Sequence, residues 1–131
     1  MQDRISAAEY QRMTVKPSKM RNVKTVVDGR MFDSKKEADY YYLLKAQKQQ
    51  GEIIDFFCQV PFLVHDGYYK DGRWIKPIYY YADFLVIKPG DFWLEEYIAE
   101  IHETKGRWTR LALDKRKMFE KRYPEYKFIV I

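Results

Sequence analysis

The sequence is poor in the residues that mark secreted, disulfide-bonded and membrane proteins. Its 131 residues include one cysteine, Cys58, which excludes an internal disulfide and favours a reducing compartment. No apolar run approaches the roughly 18 residues of a membrane span, and no apolar segment typical of a signal peptide lies near the N-terminus. The two histidines, His65 and His102, lack Cys or His partners at ligand spacing, so no zinc site is expected. We therefore expect a cytoplasmic protein without a membrane partner.

Aromatic and basic residues, by contrast, are abundant. Hydrophobic residues make up 47% of the chain and aromatic residues 18%, which is ample for the core of one compact domain. This excess of aromatics predicts surface rings, which either stack on bases or sugars or pack in the ordinary way with hydroxyls in water. The formal charge of +5 favours a polyanionic partner.

The positive charge is concentrated in two segments. Residues 1–32 contain seven basic and three acidic residues, and residues 105–122 contain eight basic and two acidic residues. The stretch between them has a net negative charge. This distribution suits a protein that binds phosphates around an acidic metal site.

The chain divides into a basic N-terminal arm, residues 1–24, and a domain, residues 25–131. Ser6 and Glu9 have the spacing of a capping box, which predicts a short helix through about Met13 within the arm. Asp28-Gly29 between apolar residues predicts a tight hairpin at the start of the domain.

Apolar periodicity and turn residues predict the remaining elements. One helix should run from Ser34 to about Gln50, and a second from about Thr109 to Arg122. The predicted strands span residues 53–64 (long or bulged), 78–87, 97–101 and 126–131, with a hairpin excursion around residues 68–69, and the second helix should bury Leu111, Met118 and Phe119. These elements predict an α/β (α+β) domain with a central mixed sheet flanked by helices, in the order α-β-β-β-α-β.

Charged residues occur at the ends of two of these apolar strands. Residues two apart on a strand share a face, so Glu103 and Lys105 should project together while Thr104 turns the other way. If the two strands pair antiparallel with residue numbers that sum to about 186, Asp83 lies opposite Glu103. Two acids and a lysine can then hold Mg²⁺ and position a water against a phosphodiester. The alternative is an ordinary solvated strand end.

Two further polar residues have alternative interpretations. Glu37 heads the apolar stripe of the first helix, where it either faces the sheet as an additional acid or closes a capping box with Ser34. Gln59 either accepts a hydrogen bond from a water on the metal or is an ordinary loop glutamine.

Several separated motifs carry a family resemblance. They are Glu9-Tyr10, Asp28-Gly29, residues 32–38, Tyr81-Ala82-Asp83-Phe84, Thr104-Lys105-Gly106 and Tyr123-Pro124. Together with the element order, they resemble the restriction-endonuclease-like superfamily with its PD-(D/E)xK site. They are most similar to a small phage-encoded family related in activity to Holliday-junction resolvases. Ala82 stands where the superfamily pattern has proline, at a position that supplies no ligand.

The resemblance implies a restriction-endonuclease-like core and a Mg²⁺-dependent endonuclease, with Mn²⁺ as a substitute, that hydrolyses phosphodiester bonds in branched DNA. It would act in the cytoplasm of a phage-infected or prophage-carrying bacterium. Asp83 and Glu103 would be metal ligands with the Thr104 carbonyl as a natural addition, Lys105 the catalytic lysine and Glu37 the helix-borne acid, a possible outer-shell ligand. The expected DNA contacts are Arg21, Lys24, Lys35, Lys36, Arg107, Arg110, Lys117 and Lys121. The two-fold symmetry of a four-way junction would suit a homodimer.

Three rival interpretations remain open. One is a catalytically inactive DNA-binding module on the same fold, although both acids and the lysine are present. Another is a restriction-like or packaging-associated nuclease with a different DNA geometry. The third is an RNA-binding or scaffold protein, which is favoured if the strand-end charges are scattered.

Overall fold

A computed structural model describes residues 23–91, 93–94 and 96–131. The predicted short helix at residues 6–13, most of the basic arm and Arg21 lie outside these residues. Among the residues that the structure describes, no helix has the length and apolar character needed to cross a membrane.

The described chain forms two units, one up to Leu43 and one from Leu44 to Ile131. The first unit contains a hairpin of β1 (Thr25–Val27) and β2 (Arg30–Phe32). Asp28 and Gly29 join the strands with φ angles of 52° and 76°, the positive values that a two-residue type I′ turn requires. The predicted hairpin is therefore confirmed, whereas the boundary after residue 24 stays a prediction.

Helix α1 (Lys35–Gln49) begins in the first unit, close to the predicted start. The Ser34 Oγ accepts a hydrogen bond of 3.1 Å from the Glu37 amide. The Glu37 Oε1 in turn accepts one of 3.1 Å from the Asp33 amide. These bonds satisfy two backbone donors at the helix start, so the capping interpretation of Glu37 is confirmed with Asp33, one residue before Ser34, as the donor.

The second unit is built on a four-stranded sheet. In their order across the sheet, its strands are β3 (Asp55–His65), β6 (Ile78–Pro89), β7 (Tyr97–Glu103) and β8 (Lys127–Val130). The first three are antiparallel neighbours, and β8 runs parallel to β7 after helix α2 (Arg110–Arg122). A second hairpin, β4 (Tyr68–Lys70) and β5 (Arg73–Ile75), separates β3 from β6. The predicted α+β class with a mixed central sheet is thus confirmed.

Helix α2 packs on β3 and β6 through its C-terminal half. Phe119 is fully buried, and its ring lies 5.0 Å from that of Phe62 and 5.1 Å from that of Tyr80. The prediction that Leu111 is buried is wrong, because this side chain lies in the first turn and remains 56% exposed. The aromatic contacts that attach the helix to the sheet all come from residues further along.

Replacing Phe119 with alanine should lower the free energy of unfolding by about 3–5 kcal/mol, because it leaves a cavity at the centre of the core. Leu111→Ala on the same helix should change it by only about 0.5 kcal/mol. Urea denaturation with an unchanged m-value measures both. Equal losses for the two variants would contradict the described packing of α2.

Candidate active site

The pairing of β6 with β7 brings the two predicted acids together, with Asp83 in the middle of β6 and Glu103 at the end of β7. Val86 pairs with Glu100, and the register is antiparallel, so paired residue numbers sum to 186 as predicted. Three pairs further along from Val86–Glu100, the same register places Asp83 opposite Glu103, the last residue of β7. The prediction of the register is confirmed, and the connection between the two strands spans residues 90–96.

The Asp83 carboxylate is held by donors from β3 and from the residue that follows β7. Its Oδ2 accepts hydrogen bonds from the Thr104 amide at 3.0 Å and the Thr104 hydroxyl at 2.8 Å. Its Oδ1 accepts one from the Gln59 side-chain amide at 3.3 Å. Three donors on one carboxylate fix its orientation before any ligand binds.

The predicted direction of Thr104 is wrong. Strand β7 ends at Glu103, so the alternation of faces along a strand does not extend to Thr104. Instead, the Thr104 side chain and backbone both point to Asp83, on the side where Glu103 also contacts it. Thr104 thus positions Asp83, a role that the sequence did not predict. Its predicted role as a carbonyl ligand of the metal stays a prediction.

Glu103 is the most deeply buried acid of the group, with a side chain that is 1% exposed in relative terms. It is hydrogen-bonded to Asp83 and accepts a hydrogen bond from the Tyr80 hydroxyl. Burial, the hydrogen bond with Asp83 and the Asp83 charge raise the pKa of Glu103 to about 8, against the opposing effects of Tyr80 and Lys105. At neutral pH the two carboxyls therefore share one proton and one negative charge.

Tyr80 was not predicted as part of the site. Burial and the charges of Glu103 and Asp83 raise the pKa of its phenol, so it remains a donor at any physiological pH. Its ring packs against Phe119 in the core. The only sequence signal was its place in a tyrosine run just before Asp83, which does not distinguish a buried ring from an exposed one.

Lys105 lies near the acid pair, close enough for its charge to oppose the rise of the Glu103 pKa. Its Nζ sits 5.9 Å from the centre of the Trp108 ring, within range of a cation–π interaction. Burial and the Lys105 charge lower the pKa of Lys115, which places a second ammonium nearby. Asp83, Glu103 and Lys105 are therefore brought together as the strand-end pattern predicted.

Gln59 has a strained backbone in the middle of β3. Its φ angle is 51°, in the left-handed region that non-glycine residues rarely adopt. The pairs Cys58–Phe84 and Val60–Ala82 on either side place Gln59 directly opposite Asp83. This strain, of order 1–3 kcal/mol, accompanies a side chain directed at Asp83. Gln59 is thus no ordinary loop glutamine; its hydrogen bond to a water on the metal stays a prediction.

For the other predicted site residues, the contacts described below involve neither Asp83 nor Glu103. Glu37 belongs to the first unit and caps α1, so its role as an acid of the site stays a prediction. Lys24, Lys35 and Lys36 are exposed in the first unit, with Lys35 3.4 Å from Asp39. Of the predicted DNA contacts after β7, Arg107, Arg110, Lys117 and Lys121 are all exposed, and Arg110 is 3.5 Å from Asp114.

A second buried polar group lies on β6 and β7. Glu100 contacts His102 at 2.8 Å and Lys88 at 3.0 Å. Burial lowers the pKa of His102, with Glu100 opposing it. For Glu100, burial raises the pKa, but the bonds from His102 and Lys88 outweigh it and hold the pKa below its usual range. His102 is therefore hydrogen-bonded to Glu100, which also forms an ion pair with Lys88.

The donor set of the candidate site is two carboxylates. Across residues 23–91, 93–94 and 96–131, no group of three or more His, Cys, Asp or Glu side chains is arranged to hold a metal ion. Mg²⁺ is commonly bound by one or two carboxylates with water and substrate phosphates in its other positions. The buried Glu103 carboxyl and the half-buried Asp83 carboxyl are hydrogen-bonded to each other, and a cation could replace the proton between them, so the residues fit Mg²⁺.

The comparisons with known proteins identify one family. The family model described as "Protein of unknown function (DUF1064)" matches residues 17–131 of the chain. No curated protein and no solved structure matches the chain.

Proposed function

We propose that this chain, which belongs to the DUF1064 family, is a metal-dependent endonuclease that hydrolyses phosphodiester bonds in DNA. One observation carries the proposal. The carboxyls of Asp83, in the middle of β6, and Glu103, at the end of the antiparallel β7, are hydrogen-bonded to each other, with the Lys105 charge close enough to act on Glu103. A buried Glu103 that is paired with the half-buried Asp83 beside a lysine contributes no apolar packing, whereas a metal-dependent hydrolase needs such a group.

Mg²⁺ is the proposed cofactor, with Mn²⁺ as a substitute. Asp83 and Glu103 would hold it, and the Thr104 carbonyl is the proposed third protein ligand. When bound, the cation supplies polarisation of the phosphodiester and a more acidic water. Two protein carboxylates leave room for waters and phosphate oxygens, which suits a bulky polyanionic substrate.

The surrounding residues position the acids and balance charge. Gln59 and Thr104 hold Asp83 in one orientation, and Tyr80 holds Glu103. Lys105 either orients the attacking water or offsets the negative charge that develops on the phosphate in the transition state. Glu37 is proposed as an additional acid.

The proposed substrate is branched DNA, bound by its phosphates. The exposed residues Arg107, Arg110, Lys117 and Lys121 would neutralise phosphates without reading sequence. Lys24, Lys35, Lys36 and Arg21 are proposed as further contacts. A restriction-endonuclease-like fold, a homodimer that makes paired incisions and a place in the bacterial cytoplasm during phage infection complete the proposal.

The test is a cleavage panel with labelled duplex, flap, fork and four-way junction DNA, with and without Mg²⁺ or Mn²⁺. We expect metal-dependent cleavage with a preference for branched substrates. Cleavage of unbranched duplex or single strands instead would favour a restriction-like or packaging-associated nuclease. Binding without cleavage of any substrate would contradict the proposal and favour an inactive DNA-binding module.

Gln59 provides a prediction on both stability and cleavage. Gln59→Gly should raise the free energy of unfolding by about 1 kcal/mol, because glycine adopts a positive φ without strain. It should also lower the cleavage rate ~10-fold or more, because Asp83 loses a positioning donor.

Gln59→Ala is the matched control, since it removes the same amide and keeps the strain. It should lower cleavage equally without any gain in stability. Thermal unfolding and single-turnover cleavage measure the two effects. A glycine variant that is less stable than the alanine variant would contradict the described backbone.

A further inference from the structure

The β4–β5 hairpin presents an aromatic pair to solvent. Tyr69 and Trp74 face each other across the two strands, with ring centres 5.0 Å apart. Tyr69 is 75% exposed and Trp74 is 50% exposed, and the neighbouring Tyr68 is also exposed. An Asp71-Gly72 turn with φ angles of 50° and 75° closes the hairpin tightly. These rings therefore contribute little to the core of the second unit.

The hairpin is nevertheless anchored at its base. A Cβ atom at Gly67 would lie 2.5 Å from the Trp74 ring, so this ring rests directly on the glycine backbone. Asp66, next to it, forms a 3.0 Å ion pair with Arg122 at the end of α2. A fixed aromatic surface loses little conformational entropy when a flat ligand stacks on it.

Basic residues adjoin the aromatic pair along the hairpin: Lys70 and Arg73 form the next cross-strand pair, on the opposite face, and Lys76 follows β5. Lys70, Arg73 and Lys76 are exposed, and none of them forms an ion pair with any residue that the structure describes. The acidic residues of the hairpin are Asp71 in the turn and Asp66, which is already paired. Exposed rings with unneutralised cations beside them match the chemistry of a nucleic acid strand, whose bases stack and whose phosphates are anionic.

The position of the hairpin relates it to the candidate site. It joins β6 at Ile78, five residues from Asp83, which corresponds to about 17 Å along the strand. Between the two points, Tyr79 and Tyr81 expose further rings whose centres lie 6.4 Å apart.

We propose that the β4–β5 hairpin binds unpaired nucleotides, with bases stacked on Tyr69 and Trp74 and phosphates bound by Lys70, Arg73 and Lys76. Its role in catalysis rests on the proposed nuclease function. It would hold single-stranded DNA at the hairpin that leads into β6, the strand that carries Asp83. Branched DNA offers such unpaired nucleotides at its branch point, whereas an intact duplex does not.

The test measures binding without catalysis. Fluorescence anisotropy in EDTA compares a fluorescein-labelled thymidine 12-mer with a blunt duplex of the same length. The double variant Tyr69→Ala/Trp74→Ala should weaken binding of the 12-mer at least ~10-fold, because stacking contributes substantially per base. It should weaken duplex binding less than ~3-fold, since phosphate contacts dominate there. Tyr69→Phe/Trp74→Phe keeps both rings and should retain the affinity.

Trp93→Ala is the matched control, because Trp93 is 85% exposed and lies beyond the opposite end of β6. It should leave binding of both probes unchanged. Unchanged 12-mer binding by the Tyr69→Ala/Trp74→Ala variant would overturn the proposal and leave the rings to a protein partner. Equal losses on 12-mer and duplex would also overturn it.

The outcome is separable from that of the nuclease proposal. If selective binding of the 12-mer depends on the rings but the wild-type protein cuts none of the DNA substrates with Mg²⁺ or Mn²⁺, the hairpin inference stands and the nuclease proposal fails. If the protein cuts branched DNA and the ring variants bind and cut normally, the hairpin inference alone fails.

Discussion

Asp83→Asn should abolish Mg²⁺-dependent cleavage, with a fall of at least ~1,000-fold in the single-turnover rate. Asparagine has nearly the same shape and retains an oxygen that accepts the hydrogen bonds from Thr104. It removes one of the two ionisable ligands, so the site can no longer offer two carboxylates to a divalent cation. Binding of DNA in EDTA should be retained or strengthened, because a negative charge near the phosphates has been removed.

Asp71→Asn is the control for this substitution. Asp71 lies in the hairpin turn at a φ angle of 50°, where asparagine is as favourable as aspartate. The variant makes the same chemical change at the surface of the same unit and should cut as fast as wild type. Retained cleavage by Asp83→Asn would remove Asp83 from the proposed metal site.

The architecture was largely predictable because it depends on periodic patterns. Apolar strands, turn dipeptides such as Asp28-Gly29 and the capping residues of α1 are local signals, and the structure follows them within a few residues. The register of β6 with β7 was also predictable. Placing two acids opposite each other fixes the sum of their residue numbers, and a slip of one residue would send buried side chains to the other face.

The details of the site were less predictable, because they depend on where regular structure stops. Thr104 contacts Asp83 since β7 ends one residue earlier, and Gln59 reaches Asp83 through a backbone angle that no periodic pattern encodes. Tyr80 joins the site from within an otherwise ordinary aromatic run. Leu111 fits a helical pattern, but whether that part of the face meets the sheet depends on how α2 lies across it.

The shared proton of the acid pair predicts how the stability of the metal-free protein changes with pH. Glu103 has a pKa of about 8 in the folded state and an ordinary value of 4.5 when unfolded. Between these values the folded protein holds a proton that the unfolded chain has lost, so its stability falls as pH rises through that window. One full proton contributes ~1.4 kcal/mol per pH unit, whichever of the two carboxyls holds it.

Chemical denaturation in EDTA at pH 5 to 9, compared between wild type and Glu103→Gln, measures this effect. Glutamine mimics the protonated acid, so the variant should gain stability relative to wild type as pH rises. The comparison is needed because His102 acts in the opposite direction. Burial lowers its pKa below 6.5, so its contribution is lost as pH falls, and it cancels between the two proteins. Glu52→Gln, at an exposed position, should show no such trend.

Mg²⁺ should reverse the pH trend in wild type. A cation that binds the acid pair displaces the shared proton, so the stabilisation by a fixed Mg²⁺ concentration should grow from pH 6 to 8 as that proton becomes easier to remove. In Glu103→Gln the added stability should be small and independent of pH, because the site has lost an ionisable ligand. If the stability difference between wild type and Glu103→Gln stays constant from pH 5 to 9, Glu103 does not hold a proton in the folded protein. That result would remove the acid pair from the proposed mechanism.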